Sequence, residues 1–200
     1  MENALIIFAK NPVYGKVKTR LATEVGNDKA LEVYNELLKH TRDVAAQVTA
    51  RRFVFYADKV EVGDLWESGF DKKIQSHGIL GERMTKAFAE VSNEGFEKKI
   101  IIGTDCFEIT ADIINDGFDQ LDDNDIVLGP ATDGGYYLLG MKKSIDEIFV
   151  DIPWSTEHVL GRTLEICKGL SLSVYRLPML SDIDTKADLD AYTFNQRAGT

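Results

Sequence analysis

Short apolar runs alternate with stretches of helical period along the whole chain, and this alternation constrains the fold more than any other feature. Ala4–Ala9 is an unbroken apolar run and reads as a strand buried on both faces. Behind Asp28, the expected N-cap, residues Ala30, Leu31, Tyr34, Leu37, Leu38 and Thr41 recur at helical spacing. Further strands are expected at Arg52–Tyr56, Lys73–Ser76, Lys99–Gly103, Asp125–Leu128, Gly135–Met141 and Leu172–Arg176. Helices are expected over Gly81–Val91, from the cap Thr110 through Phe118, over Thr156–Lys168 and over Lys186–Phe194. Such an order requires βαβ units, hence a mostly parallel sheet in an α/β/α sandwich of three layers. No repeat and no Pro/Gly/Ser-rich linker interrupts it, so residues 1–200 are expected to form a single domain.

In open sheets of this kind, ligands sit beyond the carboxyl ends of the strands. The segment after the first strand reads K-N-P-V-Y-G-K-V-K-T-R. It carries Lys10, Lys16, Lys18 and Arg20 without one acid. Pro12 and Gly15 bend it, and Gly15 permits close approach of a ligand to the backbone. Cations fanned around exposed N–H groups suit a polyphosphate. The segment is not a P-loop, because Val17 follows Gly15-Lys16 and Lys10 stands where the first glycine belongs. No G-x-G-x-x-G follows the strand either, which argues against a dinucleotide site.

Opposite charges occur at other strand ends. Asp105 follows I-I-I-G-T, Asp133 precedes Gly134-Gly135-Tyr136, and Asp182 and Asp184 lie between the last strand and the last helix. Carboxylates there, facing a basic loop, suit Mg²⁺ or Mn²⁺ bridging a di- or triphosphate. Asp184-Thr185 also has the letters of a helix cap. Asp122, Asp123 and Asp125 read as a solvated turn. The three histidines are not at zinc-ligand spacing, and no G-x-S-x-G elbow exists. Cys106 reads as a packing residue whose thiol pKa the adjacent Asp105 raises.

The net charge of −10 is divided unevenly: residues 1–100 hold 16 basic and 15 acidic residues, residues 101–200 hold 7 and 18. That distribution excludes a general nucleic-acid binder and disfavours an anionic membrane surface. The apolar runs fall far short of the ~20 residues that cross a bilayer. Two cysteines fit a reducing cytoplasm, where the protein is expected.

Six motifs occur in order: F-A-K-x-P-x-x-G-K-V-K-T-R-L at Phe8–Leu21, L-G-E-R-M at Leu80–Met84, G-T-D-C at Gly103–Cys106, L-G-P-A-x-D-G-G-Y-Y-L-L-G at Leu128–Gly140, W-S-T at Trp154–Thr156 and D-I-D-T-K-A-D-L at Asp182–Leu189. Together they resemble the DUF2064 family of bacterial, glycosyltransferase-like proteins, related to the phospholactate and molybdenum-cofactor guanylyltransferases. The resemblance implies the GT-A-like nucleotide-diphospho-sugar transferase fold. It implies that Phe8, Ala9 and Lys10 border the base or ribose, that Gly15, Lys16, Lys18 and Arg20 take the phosphates, and that Gly78, Gly81, Glu82 and Arg83 lie near the base or ribose. It places the metal on Asp105, with Asp184 as a second ligand. It puts the acceptor beside Asp133, Gly134, Gly135, Tyr136, Trp154, Ser155 and Thr156. Two positions depart from the family pattern: Phe107 where proline follows G-T-D-C, and Ile79 where an aspartate precedes L-G-E-R-M.

Three functions are compatible with these residues. The first is metal-dependent nucleotidyl transfer, in which Lys18, Arg20 and Asp105 act while an NMP passes from an NTP to a phosphorylated small molecule and pyrophosphate leaves. The second is glycosyl transfer from a nucleotide sugar, against which stands the absence of Asp-x-Asp at Asp105-Cys106-Phe107. The third is nucleotide binding without catalysis. Base, acceptor and oligomeric state are not readable from residue identities.

Overall fold

The computed structural model describes residues 3–198, with side chains through Thr193. In chain order the elements are β1 (Ala4–Ala9), α1 (Thr19–Val25), α2 (Asn27–Gln47), β2 (Arg51–Tyr56), β3 (Asp71–Ile74), α3 (Leu80–Asn93), β4 (Lys99–Ile102), α4 (Ala111–Gln120), β5 (Ile126–Pro130) and β6 (Tyr136–Met141). A 3₁₀ turn (Asp146–Phe149), α5 (Val159–Gly169), β7 (Val174–Arg176) and α6 (Lys186–Ala198) complete them.

The seven strands form one sheet in the order β3-β2-β1-β4-β6-β5-β7. All neighbouring pairs are parallel except those of β6, which runs antiparallel to β4 and β5. The reversal is local in origin. Asp133 Oδ1 accepts the Gly135 N–H at 2.8 Å, and Gly134, at φ +87°, closes the turn through its own N–H on Ala131 O at 3.1 Å.

Both faces of the sheet are covered, which is why β1 is apolar throughout. Leu5, Ile7 and Ala9 join a core with Tyr34, Leu38 and Ala45 of α2 and Ile114 and Phe118 of α4. Ala4 and Ile6 join the opposite core with Met84, Ala87, Phe88 and Val91 of α3 and Cys167 of α5. A smaller cluster fixes α1 through Leu21 against Ala30, Val33 and Leu37 of α2 and Ile183.

Several expectations need correction. The Lys10–Arg20 segment is not loop throughout, since α1 begins at Thr19. Its seven residues bury only Leu21, too little to show a helical period. Gly26, not Asp28, occupies the N-cap of α2, and Asp28 lies in the first turn. Strand β3 sits two residues earlier than expected, in register with Phe53–Tyr56 of β2. Helix α5 begins at Val159 rather than Thr156: residues 156–158 form a turn in which Thr156 Oγ1 accepts the His158 N–H at 3.3 Å and donates to Pro153 O at 2.7 Å. The Asp122–Asp125 turn is not merely solvated: Asp122 pairs with Lys98 at 2.7 Å, and the Asp125 carboxylate accepts the Ser173 N–H and hydroxyl.

Candidate active site at the strand-order reversal

The strand order reverses between β1 and β4, so the chains leaving these two strands diverge and open a crevice. A cleft of about 670 Å³ lies there, within the ordinary size of a small-molecule site.

The loop after β1 supplies its basic side. Tyr34 of α2 pins the start of this loop, its hydroxyl accepting the Lys10 N–H at 2.9 Å and donating to Lys10 O at 3.0 Å. Gly15 is at φ +71°, as a tight bend requires. Lys16 and Arg20 line the cleft with exposed side chains. Lys18 is different. It lies in the left-handed region at φ 46°, directly before α1, and its side chain is only 3% exposed.

The Lys18 ammonium lies 2.5 Å from Asp105 Oδ1 and 3.1 Å from Asp184 Oδ1. Asp105 comes from the end of β4 and Asp184 from the segment before α6. The two loops are clamped side by side by the Ile183 N–H, which donates to Asp105 O at 2.8 Å. Thr185 and Asp188 cap α6 reciprocally. Asp188 Oδ2 accepts the Thr185 N–H at 2.7 Å, and the Asp188 N–H donates to Thr185 Oγ1 at 3.3 Å. The Asp184 carboxylate is thereby left free of capping and turned to Lys18. Burial works against the Lys18 charge, but Asp105 and Asp184 outweigh it and hold the ammonium above the usual lysine range. Asp182, half-buried beside them, is pushed up to about 7 by burial and by the charges of Asp105 and Asp133. The Cys106 thiol is pushed up to about 12, first by burial and then by Asp182 rather than by Asp105.

On the side of β1–β3, Phe8, Ala9, Lys10 and Arg83 all line the cleft. They are joined by Gln75, which the sequence did not single out. Gln75 is buried beyond the end of β3, its amide donates to Phe55 O at 2.9 Å, and its carbonyl accepts from Arg83 Nη1 at 2.7 Å. One polar residue in a weak strand carries no signal of that role. Tyr34 was likewise concealed, because it occupies a core position of an amphipathic helix.

The opposite lip holds Asp133, Gly135, Tyr136, Trp154, Ser155 and Thr156. The Trp154 ring meets Tyr136 edge-on at 6.4 Å, and its Nε1 is buried without a hydrogen-bond partner. Burial raises the Tyr136 phenol far above its ordinary value.

Gly15, Gly78, Gly81, Glu82 and Gly134 do not line the cleft. Glu82 closes the N-terminus of α3 by accepting the Ile79 N–H at 3.2 Å, work that an aspartate at position 79 could share. A Cβ on Gly78 would strike Glu82, and one on Gly134 would strike the Glu157 backbone. Phe107 stacks on Tyr192 at 4.7 Å, outside the cleft lining.

Hard oxygen donors from two loops thus converge on one cationic atom. Among the described residues no three acidic, histidine or cysteine side chains form a metal cage. Mg²⁺ does not need one, since it is commonly held by one or two carboxylates plus substrate phosphates. Asp105 and Asp184 fit that requirement, and the Lys18 ammonium lies between them.

Sheet order, crevice and charge arrangement define an α/β fold of the nucleotidyltransferase and nucleotide-diphospho-sugar transferase type. The chain belongs to the DUF2064 family, described as an uncharacterized protein conserved in bacteria, whose model matches residues 40–156. The motifs at Phe8–Leu21 and Asp182–Leu189 lie outside that match. A crystal structure from Desulfovibrio desulfuricans, provisionally assigned as a nucleotide-diphospho-sugar transferase, is 30% identical with a TM-score of 0.88, over 96% of this chain and 87% of that one. The structure of CMP:2-keto-3-deoxy-manno-octonic acid synthetase with CTP is 12% identical, with a TM-score of 0.61 over 100% of both chains. Rv0371c of Mycobacterium tuberculosis in complex with manganese is 14% identical, with a TM-score of 0.59 over 96% of this chain and 97% of that one. The last two likenesses establish the fold alone. No curated protein matches the sequence.

Proposed function

We propose that this protein is a metal-dependent nucleotidyltransferase that moves an NMP from an NTP to a phosphorylated small-molecule acceptor and releases pyrophosphate. The observation that carries the reading is the meeting of Lys18, Asp105 and Asp184 in a cleft whose rim bears Lys16 and Arg20. An acceptor phosphate or phosphonate oxygen attacks the α-phosphorus, and the bond to the β-phosphate oxygen breaks. The chain supplies no covalent nucleophile, because positioning and charge neutralisation accomplish most of phosphoryl chemistry. Lys16, Lys18 and Arg20 bind and neutralise the pyrophosphate end. Asp105 and Asp184 hold Mg²⁺ or Mn²⁺, which when bound supplies charge neutralisation across the phosphates. Phe8, Ala9, Lys10 and Arg83 border the base and ribose, and Asp133, Gly135, Tyr136 and Trp154–Thr156 border the acceptor. The glycines and Glu82 that stand back from the cleft support these walls.

The synthetase bound to CTP and the manganese complex share this fold and support the reading. No helix among the described residues is long and apolar enough to cross a membrane. The substrates proposed are small molecules of the cytoplasm, and the acidic balance of the chain disfavours a nucleic-acid partner.

A second reading, glycosyl transfer from a nucleotide sugar, draws on the provisional assignment of the Desulfovibrio relative. Labelled NTPs and nucleotide sugars, each with a pool of phosphorylated acceptors and Mg²⁺, separate the two. Pyrophosphate release supports nucleotidyl transfer; an NDP freed from the sugar donor supports glycosyl transfer. Tight, metal-independent nucleotide binding without turnover would leave a binding protein. A thermal-shift screen chooses the nucleotide, since a ligand at 100 times its Kd adds about 2.7 kcal/mol.

A further inference from the structure

The ion pair at the centre of the cleft has a property beyond phosphate binding. The Lys18 ammonium lies within hydrogen-bonding reach of one oxygen of Asp105 and one of Asp184. These are the carboxylates assigned to the metal. An ammonium and a divalent cation cannot both sit between the same two oxygens, because two positive charges at that separation repel strongly. Lys18 is also poorly placed to serve phosphate while it remains there. Two of its three N–H donors are committed to the carboxylates, and its side chain is 3% exposed, unlike the 72% of Arg20.

The backbone is consistent with a residue held in place by its side chain. Lys18 is at φ 46° and ψ 45°, a conformation that residues with a Cβ adopt uncommonly. It is the last residue of the loop that bends at Gly15 and the first before α1, so a change in its backbone re-aims the side chain without moving a strand.

We propose that the Lys18 ammonium and the divalent cation are alternative occupants of the Asp105–Asp184 pair, so that the nucleotide's phosphate chain admits the metal by drawing Lys18 away. The proposal rests on the metal-dependent reading above. In the absence of nucleotide the carboxylates already have a counter-charge, and the metal must displace it. A triphosphate beside Lys16 and Arg20 gives the ammonium a competing set of oxygens. Nucleotide and metal then bind cooperatively, and the coupling is reciprocal.

Mn²⁺ alone is the probe, and its binding is read from the EPR signal of the free ion without nucleotide. Lys18→Met is expected to bind Mn²⁺ about 10-fold more tightly than the unaltered protein, a typical size for coupling between sites. Asp105→Asn is expected to remove most binding. A second measurement needs no variant: acetic anhydride labelling, read by mass spectrometry with exposed Lys29 as internal reference. Saturating Mn²⁺ is expected to raise the acetylation of Lys18 relative to Lys29. Equal or weaker Mn²⁺ binding by Lys18→Met, or Lys18 labelling indifferent to saturating Mn²⁺, would overturn the exchange and leave the metal site standing. No Mn²⁺ binding by either protein would overturn the metal site and the exchange together.

Discussion

The indole of Trp154 rests on the bare α-carbon of Gly81, so closely that a Cβ there would come within 2.9 Å of its Cζ2 and Nε1 and 3.0 Å of Phe149 O. Glycine at this position therefore sets the Trp154 wall of the cleft. Gly81→Ala is expected to push the indole outward and destabilise the protein by about 1–3 kcal/mol. Tryptophan emission should change while buried Trp66 keeps its own environment. Unaltered emission and unfolding midpoint would contradict the contact.

Arg20 tests the chemistry with little interference from stability. Its side chain is 72% exposed, and its nearest carboxylate oxygen, on Asp184, is 4.0 Å away. Arg20→Ala is expected to lose at least ~10²-fold in the rate of pyrophosphate release, as for removal of one aimed electrostatic group. The unfolding midpoint should hardly move. Unchanged turnover would remove Arg20 from the phosphate site.

Tyr34 acts through the loop it holds. Its hydroxyl bonds both the N–H and the carbonyl of Lys10, and burial raises its pKa to about 12, so it stays protonated at any working pH. Tyr34→Phe leaves both backbone groups without that partner and is expected to cost ~1–3 kcal/mol of stability. Because the loop carries the phosphate ligands, KM for the NTP should rise more than kcat falls. Steady-state kinetics alongside urea unfolding would show whether loop and fold respond together.

Asp125 predicts a pH effect at the far edge of the sheet. Hydrogen bonds from the Ser173 hydroxyl and N–H hold its carboxylate below the usual 3.8. A depressed carboxylate contributes stability above the unfolded value, and loses that contribution as pH falls through the lower folded value. Asp125→Asn should therefore unfold more easily at pH 7, by no more than ~1 kcal/mol for so exposed a group. The difference from the unaltered protein should shrink as pH falls below 3.8 and on through the lower folded value. Urea titrations at pH 7, 4 and 2.5 measure it, and a difference that does not shrink between pH 7 and pH 2.5 would count against the Asp125–Ser173 link.

Much of this molecule was legible in its residue order, for a local reason. Strands such as Ala4–Ala9 and Lys99–Ile102 announce themselves by short unbroken apolar runs, because both sheet faces are buried, and helices such as Asn27–Gln47 by a period of 3.6 residues. From the alternation of these elements followed the parallel sandwich, and from the strand ends the neighbourhood of the cleft. Helix Thr19–Val25 escaped notice because one buried leucine makes no period.

What the tertiary structure alone decided is which strand ends become neighbours. Strand β6 turns back between β4 and β5, an order that no local pattern encodes. Lys18 meets Asp184 across 166 positions of sequence. Composition marks both as charged residues near strand ends, but only the reversal at β1 and β4 and the Ile183–Asp105 bond bring them within 3.1 Å. Electrostatic energy depends on separation in space, so the cation at the centre of this cleft came into view only with the chain folded.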